Sequence, residues 1–176
     1  MHPTQKQFCE NVKIKFPEYF YNTFILDVGS LDLNGCNRYL FTDGVYLGLD
    51  IAPGKNVDII SKIHEAPFRD GLFNVVCSTS ALEHDMFWRQ SIPKMVNLLC
   101  PGGLMFFSCG HKWFEHGTSK SHTWASATSN ISGWKDYYHN LTEAEVRSVI
   151  DLTMFSSYEF SLSEDQLDLQ FWGIRV

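Results

Sequence analysis

Short apolar runs bounded by glycine, proline or acidic residues recur along the first two thirds of the chain. Phe24 to Gly29, Val45 to Ile51 and the brief Val57 to Ser61 come first, and Phe73 to Ser78 and Leu104 to Ser108 follow. Continuous apolar runs of about four to eight residues are typical of strands buried on both faces of a parallel sheet. The pattern therefore predicts five such strands.

Helical patterns lie between these runs. Gly35 to Phe41 predicts a short helix after the first strand. Between the fourth and fifth strands, apolar residues recur at the i, i+3, i+4, i+7 spacing that marks one face of a helix. They are Ile92, Met95, Val96 and Leu99. The Pro-Gly-Gly sequence after Cys100 is expected to end this helix.

The last part of the chain has a clear helix start and two further strands. Thr142 and Glu145 form the sequence pattern of a capping box, which predicts a helix beginning at this point. Phe155 to Leu162 and Leu167 to Val176 are separated by a few polar residues, which favours an antiparallel hairpin. Residues 110–140, rich in His, Trp, Tyr and Ser, predict an irregular segment.

The alternation of strands and helices predicts an α/β fold with a mainly parallel sheet and helices on both faces. We expect a single domain over residues 1–176, with an N-terminal extension at 1–22 and an acceptor-side insertion at 110–140. Ligands of such sheets bind beyond the carboxyl ends of the strands, where the strand order reverses.

Composition narrows the classes of function. The chain of 176 residues has 44% hydrophobic and 19% charged residues, which suits a packed core. Its net charge of -6 disfavours nucleic acid as a partner. Five cysteines without a C-x-x-C pair predict neither disulfides nor zinc, and no histidine spacing predicts another metal. No signal peptide or membrane span is apparent, so a cytoplasmic protein is expected.

Two strand ends carry residues suited to a nucleoside. Gly29 directly follows the first strand, and Asp50 follows the second, 21 residues later. An acidic residue at about this distance from a glycine turn commonly binds the ribose hydroxyls, although a solvated aspartate is the alternative. The loop lacks the G-x-G-x-x-G pattern, and no G-x-x-x-x-G-K-[ST] loop occurs. A nucleoside without phosphates is therefore favoured over a dinucleotide.

Six short motifs together resemble one family, the class I S-adenosylmethionine-dependent methyltransferases, and most closely its methyltransferase type 11 subgroup. These motifs are Asp27-Val-Gly29, Leu49-Asp50, His64-Glu-Ala-Pro-Phe68, Phe73-Asn-Val-Val76, Ala81-Leu-Glu-His84 and Leu99-Cys-Pro-Gly-Gly-Leu104. The resemblance runs from about residue 24 to residue 108. It implies a three-layer α/β sandwich with a doubly wound, seven-stranded, mostly parallel sheet and an antiparallel C-terminal hairpin.

The resemblance implies S-adenosylmethionine as cofactor and S-adenosylhomocysteine as product. The residues expected to bind the cofactor are Asp27, Gly29, Ser30, Asp50, Ile51, Ile63, His64 and Ser78. Asp27 and Gly29 would lie against its methionine part, Asp50 at the ribose and Ile63 near the adenine. Where the family often has an aspartate that accepts from the adenine amino group, this chain has Lys62, so backbone groups, Asp58 or Glu65 are the alternatives.

The acceptor side is less defined. Candidate catalytic residues are His84, His116 and Tyr138, with His111 as a further candidate base. Aromatic residues of the irregular segment are expected either to wall a pocket for an apolar or planar acceptor or to cover a sheet edge or dimer surface. They are Trp113, Phe114, Trp124, Trp134, Tyr137 and Tyr138.

Three functions are compatible with this pattern. The first is O- or N-methylation of a small-molecule or glycan-precursor acceptor, without nucleic-acid or membrane partners and with a homodimer left open. The second is a non-catalytic methyltransferase-fold binding or regulatory protein, favoured by Lys62 and by Leu31 and Leu33 in the glycine loop. The third is a dinucleotide or nucleotide-sugar enzyme on a related sheet, which would need phosphate contacts.

Overall fold

A seven-stranded sheet forms the centre of the computed structural model, which describes residues 2–176. The strands are β1 (Phe24–Val28), β2 (Val45–Asp50), β3 (Ile59–Ile60), β4 (Phe73–Thr79), β5 (Leu99–Gly110), β6 (Phe155–Leu162) and β7 (Asp168–Arg175). Their order in the sheet is β3-β2-β1-β4-β5-β7-β6. The order reverses between β1 and β4, which is where the expected ligand site lies.

The five strands from β1 to β5 are parallel, and β7 inserts antiparallel between β5 and β6. This arrangement confirms the predicted mostly parallel, doubly wound sheet with its C-terminal antiparallel hairpin. The central strands are buried on both faces, with Leu26, Val76 and Phe106 fully enclosed. Continuous apolar runs were the correct signal for these strands because neither of their faces meets water.

Helices cover both faces of the sheet. They are α1 (Pro3–Lys15), α2 (Trp88–Leu98) and α3 (Glu143–Arg147). The apolar side chains of α2 and α3 join one core cluster, and those of α1 join a second cluster that is built on other residues of the sheet. The predicted three-layer arrangement is therefore confirmed. Within residues 2–176, no helix is both long and apolar enough to cross a membrane.

Several boundaries differ from the sequence prediction. The fifth strand begins at Leu99 rather than at Leu104, so the Pro-Gly-Gly sequence expected to end the helix lies within β5. Gly35 to Phe41 contains only a short 3₁₀ helix, Asn37–Leu40, and the third strand is reduced to Ile59–Ile60. Leu99 begins β5 and pairs with Phe73, so its assignment to the helix was wrong. Leu99 is fully buried. An apolar periodicity alone cannot separate the last residue of a helix from the first residue of a buried strand.

The predicted capping box is present at the start of α3. The Thr142 side chain accepts from the backbone N–H of Glu145, and Glu145 in turn accepts from the Thr142 backbone N–H at 3.0 Å. The helix has only five residues, so most of its stability comes from packing Val146 into the core. This packing fixes the end of the irregular segment 110–140 beneath the strand ends.

Candidate active site

Gly29 makes the tight turn at the carboxyl end of β1. It has φ +78°, and a Cβ at this position would lie 2.2 Å from the Cβ of Ala81. Any side chain would therefore clash in a backbone conformation that already favours glycine. The Gly29 N–H donates to the Leu49 carbonyl at 2.8 Å, which ties this turn to β2.

Asp50 lies at the end of β2 and supports the loop that follows Gly29. Its Oδ2 accepts from the backbone N–H of Leu31 and its Oδ1 from that of Ala52, both at 3.1 Å. Burial raises the pKa of Asp50, and these backbone donors oppose that rise. The carboxylate thus has a fixed position and still lines a cavity.

Two cavities lie beyond the carboxyl ends of the parallel strands. The first, called the β2-side cavity, encloses about 660 Å³ of free space, part of it open to solvent. It is lined by Gly29, Asp50, Ile51, Lys62, Ile63 and Asp85, among others. The second, called the aromatic cavity, has about 770 Å³ and is lined by Asp27, Thr79, Trp113, Phe114, His116 and Trp124, among others.

The two cavities are adjacent, since six residues line both, and together they are called the cleft. The shared residues are Gly29, Leu31, Leu33, Ser80, His84 and Ala125. The glycine turn therefore lies at the boundary between the two cavities, with Asp50 on one side and Asp27 on the other.

Asp27 is an almost fully buried carboxylate that borders the aromatic cavity. The hydroxyl of Tyr46 and the amide of Asn37 donate to it, the latter at 3.0 Å. Burial raises the pKa of Asp27 to about 6, against the opposing effect of these hydrogen bonds. The group therefore changes charge close to neutral pH.

Three of the residues expected at the cofactor point elsewhere. Ser78 donates to the Val28 carbonyl at 2.8 Å, and Ser30 donates to the Asn56 carbonyl at 3.1 Å. The His64 ring packs against Phe87 at 4.5 Å between ring centroids. None of the three is among the residues that line either cavity. Ile51 and Ile63 do line the β2-side cavity, at the side away from Asp27.

Lys62 lies at the position where the family often has an adenine-binding aspartate, and Asp58 and Glu65 are the alternative acceptors. Lys62 lines the β2-side cavity and pairs with the exposed Glu65 at 2.9 Å. Asp58 faces β2, where it accepts from the Gly48 N–H at 2.8 Å and pairs with Arg38. Asp58 therefore does not contribute to the cavity lining.

Asp85 is a cavity-lining carboxylate that the sequence analysis did not name. It lines the β2-side cavity, accepts from the Phe87 N–H at 2.8 Å and also accepts from the Ser91 hydroxyl. Burial raises its pKa. In the sequence, Asp85 is an acidic residue shortly before a predicted helix, and such residues are common at helix starts without any role in binding. Only the fold shows that it shares a cavity with Asp50.

His84, His116 and Tyr138 form an aromatic cluster beside the aromatic cavity. Their ring centroids lie 4.8 to 5.3 Å apart. The His116 Nδ1 contacts the Phe114 carbonyl at 2.9 Å, which favours a proton on Nδ1 and an available lone pair on Nε2. Burial lowers the pKa of His84 to about 3 and raises that of Tyr138.

Glu83 stands beside His84 in the fifth motif, where the alternatives to a catalytic role are a cap on the next helix or a hydrogen bond to the cofactor loop. It is 1% exposed, and burial raises its pKa to about 8. Its Oε2 and the Nδ1 of His84 are buried without a hydrogen-bond partner. His111 lies apart from this cluster, with its Nδ1 at 2.8 Å from the Leu141 carbonyl, and it does not line either cavity.

The aromatic residues of segment 110–140 divide among the two cavities and the main core. Trp113, Phe114 and Trp124 line the aromatic cavity, and Trp134 lines the β2-side cavity. Tyr137 packs against the main core. Phe114 and Trp124 are 60% and 69% exposed, so they form an open mouth to the cleft.

The fold and the position of this cleft define a class: the chain has the class I S-adenosylmethionine-dependent methyltransferase fold. The 1,6-didemethyltoxoflavin-N1-methyltransferase of Burkholderia thailandensis, solved with 1,6-didemethyltoxoflavin and S-adenosylhomocysteine, is similar at TM-score 0.67 and 10% identity. The match covers 99% of this chain and 79% of that one. At these identities the likeness concerns the fold alone.

Two further structures support the same fold. The CurJ carbon methyltransferase has a TM-score of 0.69 at 14% identity, over 98% of this chain and 55% of that one. Phosphoethanolamine N-methyltransferase 2 of Haemonchus contortus was solved with phosphomonomethylethanolamine and S-adenosylhomocysteine. It has a TM-score of 0.64 at 13% identity, over 97% of this chain and 53% of that one. The sequence matches no protein-family model and no curated protein.

Proposed function

We propose that this protein is an S-adenosylmethionine-dependent methyltransferase that acts on a small-molecule or glycan-precursor acceptor by O- or N-methylation. The observation that carries the proposal is the adjacency of the two cavities: the buried carboxylate of Asp50 lines one, and aromatic side chains line the other. Gly29 lies between them at the reversal of the strand order.

The residues present fit this cofactor. Asp50 would accept from the ribose hydroxyls, while Ile51 and Ile63 offer apolar contact for the adenine. Asp85 is the available acceptor for the adenine amino group, the role that Lys62 cannot fill. Asp27 faces the same cleft beyond Gly29 and would accept from the ammonium of the methionine part. The cofactor supplies a sulfonium-bound methyl group that needs no further activation.

The protein's own task is to orient the acceptor and to take up its proton. Trp113, Phe114 and Trp124 offer flat apolar surfaces that favour a planar or apolar acceptor. His116 has the geometry of a proton acceptor because its Nδ1 contact leaves Nε2 available. His84 and Tyr138 would fix the position of this ring through their contacts with it.

The first experiment is calorimetric titration of the purified protein with S-adenosylhomocysteine. We expect saturable micromolar binding at one site. Asp50→Asn should weaken it roughly 10- to 150-fold, because a hydrogen bond to a charged group contributes about 1.5–3 kcal/mol. Asp70→Asn is the matched control, since Asp70 is exposed, pairs with Lys94 and does not line either cavity. An Asp50 variant with unchanged affinity would remove that residue from the site.

A second candidate function is supported by Lys62, which brings a cation to the β2-side cavity. In that case the chain is a non-catalytic binding or regulatory protein with the same fold. If calorimetry detects no heat of binding for S-adenosylhomocysteine while the protein is demonstrably folded, this second function is favoured.

A larger thermal shift with NAD than with S-adenosylhomocysteine would favour a dinucleotide enzyme instead.

A further inference from the structure

Two buried polar atoms beside the aromatic cavity have no partner. They are the Glu83 Oε2 and the His84 Nδ1, and their side chains are among the most buried polar groups of the described chain, at 1% and 3% exposure. Buried polar atoms almost always have a hydrogen-bond partner, and an unpaired one is costly. Two such atoms in adjacent residues are therefore available to bind a ligand.

The third member of this group comes from a distant part of the chain. One ligating atom each from Glu83, His84 and His116 lie within 4.8 Å of one another. Glu83 and His84 belong to the 3₁₀ helix Leu82–His84 after β4, and His116 belongs to the segment after β5. The sequence predicted no metal because residues 83, 84 and 116 match no ligand spacing.

The local backbone is built to bring these residues together. Gly117 has φ +64°, and a Cβ there would lie 2.6 Å from the Cε1 of His84. Only a glycine lets the His116 segment approach His84 this closely. The Nδ1 of His116 is held by the Phe114 carbonyl. Such a contact from the other ring nitrogen is the usual way in which proteins orient a metal-binding histidine.

We propose that Glu83, His84 and His116 bind one divalent transition-metal ion. Two imidazoles and one carboxylate form a donor set that suits Zn²⁺, Fe²⁺ or Co²⁺ and leaves coordination positions open. Bonds of about 2.0–2.1 Å place tetrahedral ligands roughly 3.3 Å apart. The three side chains would therefore turn inward by about 1 Å when the ion binds.

The ion also defines the acceptor, and this part rests on the proposed methyl transfer. His84 and His116 both line the aromatic cavity, so the open positions face it. The acceptor class is then a planar or apolar molecule with a hydroxyl group that coordinates the ion through its oxygen. Coordination makes the hydroxyl more acidic, its proton leaves to solvent water at the open mouth of the cavity, and the oxygen keeps a lone pair for the methyl group. With the ion bound, His84 and His116 are ligands, and solvent water takes over the role of proton acceptor from His116.

The test is titration of the chelator-treated full chain with Co²⁺, followed by its visible d–d absorption. We expect one equivalent to bind, with displacement by Zn²⁺. His116→Ala and Glu83→Gln should each weaken binding by more than about tenfold. His122→Ala is the control for metal binding, because this exposed histidine lines the same cavity outside the cluster. Circular dichroism and S-adenosylhomocysteine affinity establish that the variants fold.

The outcomes separate the two proposals. No Co²⁺ spectrum in the wild-type protein overturns the metal site and returns His116 to the role of proton acceptor, whatever the cofactor affinity. Equal Co²⁺ binding by the wild type and both cluster variants also overturns it. Metal binding that depends on Glu83 and His116, without any S-adenosylhomocysteine binding, would retain the ion site and reject the methyltransferase.

Discussion

At the scale of single residues, the buried carboxylate of Asp27 is held in place by side chains from neighbouring strands. Tyr46 donates to its carboxylate from β2, and Cys77 lies against it on β4. The negative charge of Asp27 adds to the effect of burial on the pKa of Cys9 in α1 and of Cys36. Burial raises the pKa of each of these thiols and of Tyr46, so they stay neutral near pH 7. Asp27 is the group in this set that titrates near neutral pH.

This arrangement predicts a pH dependence of cofactor affinity. Below the Asp27 pKa of about 6, a protonated carboxyl no longer accepts from the ligand ammonium as an anion. Affinity for S-adenosylhomocysteine should therefore fall as pH falls, by roughly tenfold per unit at the limit. Calorimetry between pH 5 and about 8 measures this. Asp27→Asn should bind weakly with a flat profile over the same range, and a profile parallel to that of the wild type would contradict the assignment.

The sequence indicated Asp27, Gly29 and Asp50 because strand ends impose residue types at fixed positions. It could not assign a role to Glu83 or Asp85, because that role depends on which cavity a turn faces after β4. The sequence pattern also cannot predict in which direction a small polar side chain points. Ser78, for example, donates to a neighbouring strand, although it stands at a strand end.

At the scale of elements, α1 connects the start of the chain to the last strand and to the cleft. Gln5 donates to Asp168 at 3.2 Å and accepts from the Ser80 hydroxyl at 2.6 Å. Asp168 also accepts from the indole N–H of Trp113 at 3.0 Å. His2, just before α1, stacks on Trp113. The helix thus holds one wall of the aromatic cavity.

Removing the Gln5 amide should destabilise the whole protein. Gln5→Ala leaves the buried Asp168 and the Ser80 hydroxyl with fewer partners, at a cost of about 1–3 kcal/mol. Urea unfolding measures this change. Gln7→Ala on the same helix is the control, since Gln7 is exposed and its side chain donates to Asn11 of the same helix, and its stability should stay within about 0.5 kcal/mol of the wild type. Helix propensity favours Ala over Gln at both positions, so similar losses in the two variants would show that the buried contact of Gln5 is not the cause.

The start of α3 was predicted from a local hydrogen-bonding motif, whereas α1 was not predicted because its sequence has no comparable local pattern. Thr142 and Glu145 mark α3 by a reciprocal hydrogen-bond pattern that is readable in four residues. The only apolar residues that α1 buries are Phe8, Cys9 and Val12, too few to form a long apolar stripe. Its position is fixed by contacts with residues more than 150 positions away, which no local pattern records.

At the scale of the whole molecule, two apolar clusters share one sheet. The larger cluster includes Trp88, Phe107 and Phe171, and the smaller one includes Phe20 and Phe106. Neighbouring residues of the same strand, Phe106 and Phe107, face opposite clusters. The two sides therefore depend on the same strands. The alternation of strands and helices in the sequence was sufficient to predict this layered architecture.

We expect thermal unfolding in a single transition that S-adenosylhomocysteine shifts upward. At a ligand concentration of 100 times Kd the stabilisation is about 2.7 kcal/mol. For a chain of this size that corresponds to roughly 5–10 °C. Differential scanning calorimetry with and without ligand measures it. Two separate transitions, or a shift in only one of them, would show that the two clusters unfold independently.

The contact between Gln5 and Asp168 also sets the order in which the site is made during protein synthesis. These residues are 163 positions apart, so a nascent chain has α1 available long before its partner leaves the ribosome. Until β7 inserts beside β5, Trp113 lacks the acceptor for its indole N–H and the cavity lacks a fixed wall. The early strands can assemble cotranslationally, whereas a cleft competent for ligand forms only after β7 has emerged.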